Sequence, residues 1–159
     1  LLRKSGERLL ASHLYGQAPP FLIKGGLVFQ ELSLPYLKAF GKDWATRAPM
    51  NLLEILSNPE DFEEGRRRVV VLTRVIPTQA TIGYERMSNQ VVESVNGQPV
   101  RGLPELEKAL AQTPENGLHK IETDDIPYRI YLDQILTESV DQQFKTSGLP
   151  SLSRSYSVE

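Results

Sequence analysis

A pair of glycines, Gly25 and Gly26, sits between the short apolar runs Phe21-Leu22-Ile23-Lys24 and Leu27-Val28-Phe29-Gln30-Glu31-Leu32, and it constrains the chain more than any other feature. Glycine enters positive φ without a steric penalty, so two in succession between extended segments describe a loop whose backbone amides are free to converge. The alternating apolar residues that follow read as a strand leaving that loop with an exposed edge. Converging amides at the mouth of a strand edge can receive a peptide carboxylate while the peptide adds to the sheet. In this reading Gly25, Gly26 and Leu27 supply the amides, Val28 and Phe29 supply the edge, and Lys24 adds positive charge. Gly-Gly before a strand is also an ordinary turn, so the remainder of the chain has to decide between the two.

That remainder reads mainly as sheet. Val69 to Ile76 is rich in β-branched residues and stops at Pro77, and Val91 to Val95 repeats the pattern before the turn signal Asn96-Gly97. Gly117 to Thr123 and Tyr128 to Leu132 flank Asp124-Asp125-Ile126-Pro127, a hairpin pattern that makes the sheet mostly antiparallel. Leu103, Leu106, Ala109 and Leu110 recur at helical spacing, with Pro104 in the first turn and Pro114 as the stop. Leu103, Leu106 and Leu110 are candidates for the apolar wall of a peptide groove, and at least one of them must serve the core. After Asp133, a helix carrying Ile135, Leu136, Val140 and Phe144 as an apolar stripe ends at Gly148 and Pro150. A short helix is expected at Pro35 to Phe40, closed by Gly41, and another at Asn51 to Leu56 with Asn51 as its cap.

The expected organisation is a linker or docking helix over residues 1–20, a main domain over 21–132 with an insertion at about 41–66, a helix over 133–150, and a flexible serine-rich tail over 151–159. A chain of 159 residues with 40% hydrophobic content buries one real core. Its first residue is Leu1 rather than Met, as expected of a piece cut from a longer polypeptide.

Several functions are disfavoured on composition. A net charge of −2 with no basic patch interleaved with aromatics argues against nucleic acid. Cysteine is absent, and the two histidines, His13 and His119, lie far apart, so neither a metal nor any other cofactor is expected. No apolar run has the length of a bilayer-spanning helix, and no membrane insertion is expected. The acidic clusters Glu60, Asp61, Glu63, Glu64 and Asp124-Asp125, and the basic run Arg66-Arg67-Arg68, read as solvated faces rather than catalytic or anion sites.

Taken in order, these segments resemble the PDZ domain in the circularly permuted arrangement of the Deg/HtrA serine proteases. Gly26-Leu27 followed by Glu31-Leu32 resembles the family's carboxylate loop. Val71-Leu72-Thr73-Arg74-Val75-Ile76-Pro77 with Ala80 resembles its V-x-x-x-V-x-P-x-x-A strand and turn, and Val95-Asn96-Gly97-Gln98-Pro99-Val100 its V-N-G-x-x-V segment. The insertion and the helix after Asp133 are similar in kind to the C-terminal PDZ domain of the larger Do-like proteases. The resemblance implies an α+β, mainly β fold, a PDZ-like partly open antiparallel barrel with two or more flanking helices. Two departures bear on the ligand. Ser88-Asn89-Gln90-Val91-Val92 replaces the family's G-D-x-I turn, and bulky Phe29 fills the groove if it points inward.

A protease of this family needs a serine in a Gly-x-Ser-Gly-Gly oxyanion turn, a histidine base and an orienting aspartate. The chain has no such turn, so catalysis is expected to belong to an upstream part of a trypsin-like parent. The expected role is recognition of peptide or protein C-termini, through Lys24, Gly25, Gly26, Leu27, Val28, Phe29, Leu103, Leu106 and Leu110. The other is assembly with protease domains or subunits, through the insertion and the terminal helix. A free-standing adaptor without a protease partner is the alternative. The resemblance implies the periplasm or cell envelope for a bacterial parent and the inside of the cell for a plant one, and the sequence does not choose between them.

Overall fold

Strands that are apolar at consecutive positions, rather than alternate ones, must be covered on both faces. Val69, Val70, Val71 and Leu72 form such a run, as do Val91 and Val92, and all six are buried. The computed structural model describes residues 10, 18–62, 68–149 and 151–155, and it builds the molecule around this requirement.

Among these residues eight strands form one open antiparallel sheet: β1 (Phe21–Lys24), β2 (Leu27–Glu31), β3 (Val70–Val75), β4 (Gln90–Val95), β5 (Gln98–Pro99), β6 (Leu118–Thr123), β7 (Arg129–Asp133) and β8 (Ser153–Arg154). Their order across the sheet is β7-β6-β4-β3-β2-β1-β8, with β5 branching from β4. The β4-β5 hairpin turns on Asn96 and Gly97, both at positive φ (52° and 80°), as an Asn-Gly turn between twisted strands requires. This is the mainly β, α+β architecture the sequence implies.

Among the described residues five α-helices complete it: α1 (Leu34–Lys38), α2 (Trp44–Arg47), α3 (Met50–Ser57), α4 (Leu103–Ala111) and α5 (Gln134–Thr146). One face of the sheet packs Leu27, Phe29, Leu72, Val92 and Ile121 against Leu103, Leu106 and Leu110 of α4 and Val140 of α5. The opposite face packs Val69, Val71 and Val91 against Leu37, Leu52 and Ile55, with Trp44 and Phe62 at the margin. The segment read as an insertion therefore supplies a second core.

Three local expectations are corrected. Asn51 does not cap α3, which begins one residue earlier with Pro49 at the cap position. Its amide instead donates to the Asn89 carbonyl (3.0 Å) and to Asp124 Oδ2 (3.1 Å). The buried face of α5 is Thr137, Val140 and Asp141, with Phe144 packed at its margin, while Ile135 is 78% exposed. The stripe expected through Ile135, Leu136, Val140 and Phe144 gives way to a face that Asp141 completes through its bond to the Gly25 amide and Thr137 by packing against the loop. Within the tail, Ser153 and Arg154 pair with Leu22 and Phe21 as a short strand. The predicted helix of residues 1–20 falls outside the described residues, apart from residues 18–20 and Leu10, which packs against the second core. Glu63, Glu64, Arg66 and Arg67 also fall outside them.

Candidate functional site

The glycine loop is held by a short turn after β3. Thr78 donates its hydroxyl to the Gly25 carbonyl (2.7 Å), and the Ile76 amide donates to the Gly26 carbonyl (2.7 Å). Thr81 locks that turn in place, donating to the Ile76 carbonyl (3.0 Å) and accepting from the Thr78 amide (2.9 Å). Gly25 and Gly26 both take positive φ (62° and 107°), and a Cβ on Gly26 would stand 2.5 Å from the Ile76 carbonyl oxygen. Glycine is required here by conformation and by close approach together.

The amide of Gly25 is not free. It donates to Asp141 Oδ1 at 2.9 Å, and the other oxygen of that buried carboxylate lies 3.5 Å from Lys24 Nζ. A side-chain carboxylate from α5 thus sits where the loop would hold an external one, with Lys24 as its counter-charge. Thr137, one turn earlier on α5, is fully buried against the loop, and its hydroxyl lies 3.0 Å from the position a Gly25 Cβ would take.

Strand β2, the strand expected to offer an open edge, is hydrogen-bonded on both sides. Leu27, Val28 and Phe29 pair with Lys24, Ile23 and Leu22 of β1, and on the other side with Val75, Arg74 and Leu72 of β3. The hairpin through Gly25-Gly26 folds β1 back onto the β2 edge, so the expectation of an exposed edge at Leu27 to Phe29 is corrected. Phe29 is fully buried, and so are Leu106 and Leu110, while Leu103 is nearly so. The site residues named from sequence are thus brought together around one feature, but most of them as core.

What remains open there is a cleft of about 700 Å³ bounded by β1, α4, α5 and residues 148–149 and 151–153. Leu22, Ile23, Lys24, Leu110, Asp141 and Lys145 contribute to its walls. The position of α4 on this wall is set by Glu31, whose Oε1 accepts the Leu103 amide (3.1 Å) at the helix start. Glu31 Oε2 faces Arg68 Nε at 3.9 Å.

His119 ties the far end of α5 to the sheet. The Asn96 side-chain oxygen accepts the Lys120 amide (2.8 Å), which turns the Asn96 amide group toward His119 Nδ1 (3.0 Å). His119 Nε2 therefore carries the proton and donates to Gln134 Oε1. Burial lowers the His119 pKa, the bond to Gln134 opposes that shift, and the charge of Lys24 adds to it. The neutral ring is a structural strut.

Sequence reasoning missed Asp141, Thr78 and Thr81. Asp141 was legible in one respect: with Thr137, Val140 and Phe144 it forms an i, i+3, i+4, i+7 set. The two threonines carry no periodic signal, because they act through backbone carbonyls brought near by the turn.

A family model for the PDZ domain matches residues 10–146. Protease Do-like 2, chloroplastic, of Arabidopsis thaliana is 33% identical over 101 residues, which is 62% of this chain and 16% of that protein. The chain thus spans about a sixth of the length of that relative. Among the described residues no helix is long and apolar enough to cross a membrane.

Proposed function

Because the chain belongs to the PDZ domain family, a family of protein-interaction modules, we propose that it is the non-catalytic interaction domain of a Deg/HtrA-type serine endopeptidase. Its task in this reading is to hold protease domains or subunits in an assembly, rather than to capture peptide C-termini beside β2. One observation carries the choice: β1 already lies along β2, in the place an added peptide would need. The pairing of Gly25 with Asp141 supports it, since the carboxylate seat has an internal occupant.

Exposed apolar side chains on two helices suit the assembly role. Met50 and Leu56 of α3 are 83% and 36% exposed, and Ile135 and Leu136 of α5 are 78% and 39% exposed. A free-standing adaptor would use the same surfaces. The two are separated by whether the coding sequence upstream of Leu1 contains a trypsin-like domain with a Gly-x-Ser-Gly-Gly turn.

The test is binding of the purified chain to a library of free C-terminal peptides, repeated with amidated forms. No carboxylate-dependent binding is expected. In the parent assembly, Met50→Asp and Ile135→Asp are expected to lower the oligomeric state by sedimentation. Carboxylate-dependent peptide binding that is lost in Lys24→Ala would instead restore Lys24, Gly25, Gly26 and the neighbouring leucines as a terminal-peptide site.

A further inference from the structure

Among the described residues, the outer side of β1 is paired with the short strand β8. The register sets Arg154 opposite Phe21 and Ser153 opposite Leu22, and the Ile23 amide donates to the Leu152 carbonyl at 2.7 Å. The Arg154 guanidinium lies 5.1 Å from the centroid of the Phe21 ring. Behind this strand the cleft against α4 and α5 stays open, so the segment spans the space without filling it. A two-residue ladder with one cation–π contact is a small holding force.

The direction of β8 is informative. It runs antiparallel to β1, so Ser151 lies toward the glycine loop and Arg154 lies away from it, at Phe21. A strand held this way carries its C-terminal end away from Gly25, and no terminal carboxylate on it reaches the loop amides. The loop end is independently closed, because Asp141 holds the Gly25 amide and Lys24 faces Asp141. Both facts argue against a free C-terminus as the anchor of an antiparallel strand added at this edge.

We infer that the outer edge of β1 is a strand-addition site for an internal extended segment of a partner protein. That segment runs antiparallel to β1, with a leucine opposite Ile23 and a basic residue over Phe21. Leu152 to Arg154 is the resident occupant that it displaces. The pattern is read from the segment seated there, since any strand taking its place meets the same backbone register, the same cleft and the same aromatic ring. A tethered occupant competes at high effective concentration, so the partner binds strongly only once the resident strand is weakened. This edge is separate from the exposed apolar side chains of α3 and α5 that suit the assembly role.

The probe is the peptide Leu-Pro-Ser-Leu-Ser-Arg-Ser, acetylated and amidated, titrated into the whole chain and into Arg154→Pro. Proline removes an amide donor and the cation together. Leu152→Asp is a second variant that weakens the same strand from the cleft side. The peptide is expected to bind either variant at least about tenfold more tightly than the parent chain. It should restore hydrogen-exchange protection to the Ile23 amide, and the free-acid form should bind no better. Equal affinity for parent and variants, no recovered protection at Ile23 in a folded variant, or dependence on a free carboxylate would each overturn the inference. So would a concentration-dependent dimer of the parent chain that the peptide fails to dissolve, which would make a second copy the occupant.

Discussion

The two faces of the central strands are equally dry, but they are secured by different means. On the α4 face the apolar core is backed by short polar fasteners: Thr78 and Thr81 on the glycine loop, Asp141 on Gly25, and Glu31 on the start of α4. On the α3 face Leu37, Leu52 and Ile55 cover Val69, Val71 and Val91, and polar contacts converge on Asn89, whose carbonyl accepts from Asn51 and whose side chain accepts from Tyr36. The difference teaches which face is shaped by geometry and which by burial. A positive-φ loop against a backbone carbonyl tolerates almost no change, whereas an apolar layer tolerates change in proportion to the volume removed.

The sharpest way to break the α4 face is Gly26→Val. Its side chain would begin 2.5 Å from the Ile76 carbonyl oxygen at φ +107°, so strain and overpacking together cost about 4 kcal/mol or more. Loss of the cooperative thermal transition is expected. Gly41→Ala is the control: φ is +110° there, but nothing lies within 4 Å of the new atom, so only the smaller conformational cost applies. Equal effects at the two positions would mean that the close approach at Gly26 is unimportant.

Next come matched truncations, Leu106→Ala on one face and Leu52→Ala on the other. Both side chains are fully buried, and each substitution is expected to cost about 3 kcal/mol. Trp44, the single tryptophan, packs at the margin of the second core, so its fluorescence follows that face while far-ultraviolet circular dichroism follows the sheet. Coincident transitions in both variants are expected, because β3 and β4 are shared by the two cores. If fluorescence changed well before ellipticity in Leu52→Ala, the insertion would be a separately melting layer.

The sheet was legible in sequence because its signals are local: β-branched runs, the Asn96-Gly97 turn, and the glycine pair. The site was legible only in part. Gly25 and Gly26 announce a special loop, but nothing in their neighbourhood says that β1 will fold back over the edge of β2. Nor does a short serine-rich tail announce that Ser153 and Arg154 will close the sheet, since a two-residue strand has no periodicity to detect. Asp141 was hidden for another reason. A carboxylate on a mostly polar helix looks solvated until the amide it accepts from, 116 positions earlier in the chain, is known.

Asp141→Ala tests that long-range fastener. It leaves the buried Gly25 amide without an acceptor and Lys24 without a partner, which should cost about 2 kcal/mol. Asp141→Asn is expected to recover part of this, because its side-chain oxygen can still accept from Gly25. Failure of the asparagine to recover anything would assign the effect to the ion pair rather than to the loop hydrogen bond.

A smaller effect on the same face depends on pH. The His119 pKa is lowered in the folded state, so the unfolded chain binds the proton more readily. Stability is therefore full above the ordinary histidine value of about 6.5 and declines as pH falls toward the folded value, by at most about 1.4 kcal/mol per pH unit. Urea midpoints at pH 7.5 and 5.5 should show the loss, and His119→Gln should flatten it. An unchanged slope would assign the acid sensitivity to other groups.

The smallest expected effect probes the opposite face. Tyr36 donates its hydroxyl to Asn89 Oδ1 at 2.5 Å and sets its ring edge-on to Phe40, with centroids 6.0 Å apart. Tyr36→Phe keeps the ring contact and removes only the hydroxyl, for a loss of about 0.5 kcal/mol. Burial raises the Tyr36 pKa to about 12, so its ionisation is opposed in the folded state only. Its contribution is therefore complete below pH 10 and is lost as pH rises from there toward 12. The variant should consequently lose less stability than the parent chain between those values, and an ultraviolet titration should lack one late-titrating phenol. If the two chains responded alike to base, the Tyr36 hydroxyl would be in ready contact with water. The α3 face would then rest on its apolar layer and on the bond from Asn51 to the Asn89 carbonyl.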